Sequence, residues 1–170
     1  MRSSFLTASL LLASATLLAA CNPTYNWRDH SSSDGGFRVQ FPAKPSAHTR
    51  SIDLGGLRVD MTMTAAEVED TTFAVGTAVT SDAAQAQAIL PAMRHALLRN
   101  IGAADAAAGG QPGGAALGID ATGSGPGGQV RIVGRFVAKG DRVYQVIVVG
   151  KPGAMPPEHT EQFLSSFKPQ

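Results

Sequence analysis

The chain has 170 residues, 44% of them hydrophobic and 16% charged, with 14 Lys+Arg against 13 Asp+Glu. That length fits one domain with a sizeable core. The balanced charge removes the basic footprint of a nucleic-acid binder and the imbalance of a disordered effector. A single cysteine makes neither an internal disulfide nor a thiolate metal site.

In chain order, Arg2 is the one charge before an apolar or small run over residues 5–18, FLTASLLLASATLL. The run is shorter than the roughly 20 apolar residues that cross a bilayer, and it has the layout of a secretory signal closed by small residues. Leu18, Ala19, Ala20 and Cys21 resemble the lipobox of bacterial lipoproteins. Two small side chains give a signal peptidase access to the backbone, and the thiol accepts a thioether-linked lipid. A transmembrane anchor fits less well because the run stops at Asn22 and Pro23, and a catalytic Cys21 lacks a nearby His or acid.

The resemblance implies a cleaved signal peptide over residues 1–20 and acylation of Cys21 on its sulfur and its new amino group. Two or more acyl chains anchor stably where one gives marginal binding. Asn22, in place of the Asp that retains many lipoproteins in the inner membrane, implies the outer membrane's inner leaflet, facing the periplasm. Loss of Arg2 leaves basic and acidic side chains equal at 13, so lipid rather than a polybasic patch is the expected hold on the membrane.

Residues 22–36 lack apolar periodicity and are rich in turn formers. They read as a flexible tether, part of a 21–36 segment whose ends lie about 20 Å apart as a coil. Tyr25 and Trp27 either sit at headgroup level or pack on the domain's N-terminal edge. A single domain is expected over 37–168. Phe37, Val39 and Phe41 alternate with polar residues until Pro42 and Pro45 end the strand. Leu57, Val59, Met61 and Met63 form a second alternating run after Gly55-Gly56, with residues 49–54 as its partner. Phe73, Val75, Thr77 and Val79 mark a third strand, and together these predict an antiparallel meander.

The period changes at Asp82, which with Gln85 resembles a capping box. Ala86, Leu90, Met93, Leu97 and Ile101 fall on one helical stripe. Pro91 predicts a kink or a fresh start, and Asn100-Ile101-Gly102 a stop. Glycines crowd residues 102–128 around a short strand at 115–122. Residues 130–139 and 142–149 then predict a hairpin with a type II′ turn at Gly140-Asp141. One face carries Val130, Ile132, Phe136, Val143, Ile147 and Val149; the other carries Val133, Val137, Tyr144, Val146 and Val148, with Arg131 and Arg135. Apolar residues on both faces predict a hairpin covered on both sides. An amphipathic helix at 158–167 presents Phe163, Leu164 and Phe167. The fold class is α+β, an antiparallel sheet with helices on opposite faces.

Residues 37–45 (FRVQFPAKP), 142–149 (RVYQVIVV) and 161–167 (EQFLSSF) look like those of a family of small Gram-negative lipoproteins. Their domain is similar to the PsbP-like α/β/α sandwich of the photosystem extrinsic subunit. The resemblance implies assembly, stabilising or binding roles and carries no catalytic motif.

Residues 123–128 match G-x-G-x-x-G, but a strand rather than a helix follows and Pro126 lacks a backbone donor, so a mobile loop is expected and no cofactor. With residues 109–114 it reads as a pair of flexible edges. His30, His48, His95 and His159 show no metal-ligand spacing. Arg131 and Arg135, with Tyr144 across from them, read either as an anion or carboxylate pocket or as structural arginines with buried stems and paired heads. The expectation is a non-enzymatic, lipid-anchored binding or assembly module with an envelope protein partner and no nucleic acid; the alternative is a periplasmic carrier or sensor of a small anionic ligand.

Overall fold

A computed structural model describes residues 23–103 and 116–170. The strands are β1 (Arg28–Ser32), β2 (Phe37–Phe41), β3 (Ser46–Asp53), β4 (Arg58–Val68) and β5 (Thr71–Val79), before helix α1 (Ala83–Asn100). Strands β6 (Ala116–Gly125), β7 (Gly128–Lys139) and β8 (Arg142–Gly150) follow, then helix α2 (Pro157–Ser166) and a two-residue β9 (Lys168–Pro169). Six strands form one antiparallel sheet in the order β3-β4-β5-β8-β7-β6, and β1-β2-β9 form a second, smaller sheet. The architecture is α+β.

The two faces of β8 organise everything else. Val143 and Ile147 point into one core with Ile132 and Phe136 of β7 and Ala86, Ile89, Leu90, Met93 and Leu98 of α1. Tyr144, Val146 and Val148 point into the other, with Phe37, Val39 and Phe41 of β2 and Phe163 of α2. Strand side chains alternate between faces, so α1 and α2 lie on opposite sides of the large sheet. The Gly140-Asp141 turn joins Lys139 to Arg142. Its Gly140 has φ of 59° while Asp141 stays at negative φ, as a type II′ turn requires.

Helix α1 starts where Asp82 accepts a hydrogen bond from the Gln85 backbone N–H at 2.8 Å. The Gln85 Oε1 in turn accepts from the Ser81 N–H at 3.0 Å, one residue earlier than in the expected box. The helix runs unbroken through Pro91. Pro91 and Gln87 are both exposed, so the Gln87 carbonyl that loses its donor faces water. At the far end the Ala103 N–H bonds to Leu98 O and the Gly102 N–H to Arg99 O, with Gly102 at φ 59°: a Schellman stop.

Three expectations need correction. Strand 37–41 does not join the meander of β3, β4 and β5; Pro42 and Pro45 turn the chain from one layer to the next, and β2 packs in the smaller sheet. Residues 28–32, expected within the tether, form β1 and pair with β2 from Arg28↔Phe41 to Ser32↔Phe37. Residues 123–128 are not a mobile loop but the tip of a hairpin, with Gly123↔Val130 and Gly125↔Gly128 in register. Gly123 is required there, since a Cβ would lie 2.0 Å from the Ile101 carbonyl oxygen at the end of α1. The loop expected at 109–114 lies outside the described residues.

Candidate functional site

Helix α2 is set on the sheet by aromatic packing. Phe163, fully buried, meets Phe41 and Phe73 at centroid distances of 5.4 Å each, and Phe167 meets Tyr144 at 5.3 Å. With Phe163 facing this cluster, the flank of α2 carrying Pro157, Thr160, Glu161, Leu164 and Ser165 faces β7. Between them lies a groove of about 430 Å³ whose sheet wall is Arg131, Val133 and Arg135, with Met155 at one end. Val133, Met155, Pro157 and Leu164 make it largely apolar, and its volume falls in the range of small-molecule sites.

Arg131 and Arg135 are both in this groove, and they are not equivalent. Arg131 makes a bidentate pair with Asp120 of β6, Nε to Oδ1 at 2.9 Å and Nη2 to Oδ2 at 2.8 Å. The hydrogen-bonded guanidinium holds the Asp120 carboxyl below the usual range, against a smaller opposing effect of burial. Asp120 in turn raises the Arg131 pKa. Arg135 donates from Nη2 to the Leu164 carbonyl at 2.7 Å, where the last turn of α2 concentrates negative partial charge. Its Nε is buried with no hydrogen-bond partner among the described residues, and no carboxylate faces it within ion-pair distance there.

Tyr144 is not part of the site. It shares the sheet face but stands opposite Val137, two residues beyond Arg135 and outside the groove lining. Its hydroxyl donates to the Gly36 carbonyl at 2.7 Å, and burial raises its pKa. The pocket expected from three residues is a groove lined by two of them with Thr160, Glu161 and Leu164, while Asp120 pairs with Arg131 from β6. The Asp120 partner had a signal in the sequence: a two-residue turn at Pro126-Gly127 brings Thr122 opposite Arg131 and Asp120 two residues further along on the same face. The α2 residues had none, since their placement depends on the aromatic cluster.

Tyr25 and Trp27 take the second of their two expected roles. Tyr25 stacks on His159 at 3.8 Å, and Trp27 meets the Phe73 ring edge-on at 6.0 Å. Burial, then Glu69 and Glu158, raises the Tyr25 pKa. A second, polar cleft of about 460 Å³ lies near the β1–β2 turn, with Asp60, Thr62, Thr64, Thr77 and Arg142 among its lining. Among the described residues no group of three or more His, Cys, Asp or Glu side chains is placed to hold a metal, and no helix is long and apolar enough to cross a membrane. Cys21 and the signal segment lie outside the described residues. No protein-family model matches the chain, and no curated protein matches it either.

Proposed function

We propose that this chain is a non-enzymatic, lipid-anchored binding protein of the Gram-negative envelope. In this reading Cys21 carries the acyl chains, the domain faces the periplasm from the outer membrane's inner leaflet, and the fold is a PsbP-like sandwich. The order of layers supports the last point: α1, the large sheet, then α2 with the smaller sheet. The ligand is a small amphipathic anion held in the β7–α2 groove.

Arg135 carries the reading. It is a guanidinium in the lining of a largely apolar groove, with one donor spent on the Leu164 carbonyl and no carboxylate within ion-pair distance among the described residues, while the groove's other guanidinium is already paired with Asp120. Such a site offers one charge-assisted contact for a carboxylate and apolar walls for the attached chain. The competing assembly reading calls for an exposed apolar patch; among the described residues the large hydrophobic side chain standing exposed is Val79, at 49%.

Calorimetric titration with decanoate tests the groove. Wild type should show saturable binding, and Arg135→Lys should weaken it at least tenfold. Lysine keeps the charge but loses the planar fork. No saturable heat, or equal affinity in the variant, overturns the groove assignment. Cys21→Ala should abolish fatty-acid labelling and membrane retention; unchanged labelling overturns the anchor.

A further inference from the structure

The first side chain that packs on the domain, Tyr25, is only four residues beyond the proposed anchor at Cys21. Residues 21 to 25 span four Cα steps, at most about 14 Å when fully extended. Tyr25 is held by its stack on His159 and Trp27 by Phe73. The Asn26 N–H bonds to the Pro42 carbonyl at 2.8 Å, and β1 follows immediately. The segment expected to act as a flexible tether is therefore, from Tyr25 onward, mostly part of the fold.

Strand register identifies the end of the molecule to which Tyr25 belongs. Tyr25 meets the Phe73 ring edge-on at 6.3 Å, and Phe73 lies two residues into β5 from the β4–β5 turn, which is bracketed by Val68↔Thr71. Thr71 pairs with Gly150, Gly150 with Arg131 and Arg131 with Thr122. The β4–β5 turn, the start of α2 and the Gly125–Gly128 hairpin tip thus share one pole. The opposite pole carries the Gly140-Asp141 turn and the β1–β2 turn, joined where Arg142 donates to the Asp34 carbonyl at 2.9 Å. Strand β7, 12 residues long, separates the poles by about 35–40 Å.

We infer that the pole bearing Tyr25, the β4–β5 turn, the start of α2 and the β6–β7 hairpin tip is a membrane-facing surface, held against the lipid bilayer by the shortness of the link to Cys21. This rests on the lipid anchor proposed above. It directs the Met155–Pro157 end of the groove toward the bilayer and the polar cleft beside Arg142 toward the periplasm. A link of about 14 Å cannot let a domain with a 35–40 Å strand axis invert while Tyr25 stays docked.

The test uses the full chain, acylated in cells and reconstituted into phosphatidylethanolamine–phosphatidylglycerol vesicles carrying a short-range headgroup quencher. Cys21 is the chain's one cysteine and is consumed by the thioether, so Ser124→Cys and Asp141→Cys each take a single fluorophore, one at each pole. Quenching should be at least fivefold stronger at position 124 than at 141. Inserting ten Gly/Ser residues after Pro23 leaves the Tyr25 packing intact and should shrink that ratio towards one. Protein that floats with the vesicles but quenches equally at both positions overturns the orientation alone. Protein that fails to float overturns the anchor, and the orientation falls with it. A ratio unchanged by the insertion overturns the short link as its cause.

Discussion

Tyr144 and Arg135 stand on the same sheet face, yet the chemistry around each gives them different work. The Tyr144 ring lies in the core against Phe37 and Phe167, and its hydroxyl bonds to the Gly36 carbonyl, which also accepts from the Gln170 N–H at 2.8 Å. Tyr144→Phe therefore leaves no orphaned acceptor and should cost about 1 kcal/mol, read as a lower urea midpoint, with decanoate affinity unchanged. A loss of affinity would return Tyr144 to the site. Asp120 makes a pH-dependent contribution. Its carboxyl is held below its ordinary pKa by Arg131 in the fold, so its stabilisation is present above the unfolded value of about 4 and is lost as pH falls through the lower folded value. With side chains 39% and 57% exposed, the pair should be worth at most about 1 kcal/mol. Urea melts at pH 7 and pH 3 should show wild type losing more stability than Asp120→Asn over that interval; parallel losses would remove the pair from the acid response.

At the scale of elements, α1 tolerates a residue that ordinarily ends a helix. An interior proline costs about 3 kcal/mol relative to alanine, while its rigid ring returns up to about 1 kcal/mol by restricting the unfolded chain. Pro91 is exposed, and the helix continues to Asn100 on contacts made by Met93 and Leu98. Pro91→Ala should thus raise stability by about 1–2 kcal/mol, seen as a higher Tm and stronger helical circular dichroism; an unchanged or lower Tm would mean that Pro91 shapes the packing of α1.

The same contrast between local and distant causes explains what the sequence made legible. The β7–β8 hairpin was readable residue by residue, because a period of two with apolar residues on both faces leaves one arrangement. Strand β1 was not: Arg-Asp-His-Ser-Ser has no apolar residue, and it is a strand because β2 offers it a ladder. Alternation at Phe37, Val39 and Phe41 showed which side chains are buried but not which sheet they join. The groove was legible on its β7 wall, where Arg131 and Arg135 follow strand period, and illegible on its α2 wall. The Leu164 carbonyl reaches Arg135 only because Phe163 has already docked.

At the scale of the whole molecule, β8 is the wall shared by two cores. Alternate residues of one strand, Val143 and Ile147 against Tyr144, Val146 and Val148, complete the α1 side and the α2 side. Neither layer can open without stripping one face of a central strand that pairs with β5 and β7 along its length. Unfolding should accordingly be one cooperative transition despite the two sheets. Ile89→Val on the α1 side should cost about 1 kcal/mol, and Val39→Ala on the other about 2 kcal/mol, both buried at 5% and 3% exposure. The substitutions lie on opposite sides of the sheet with no shared cluster, so their costs should add to within about 0.5 kcal/mol. Calorimetry should give one peak in both single variants and in the double variant, with equal van't Hoff and calorimetric enthalpies. If Val39→Ala instead splits off a lower transition, the small sheet and α2 form a separately melting layer, and the pole that carries Tyr25 can loosen while the α1 core holds.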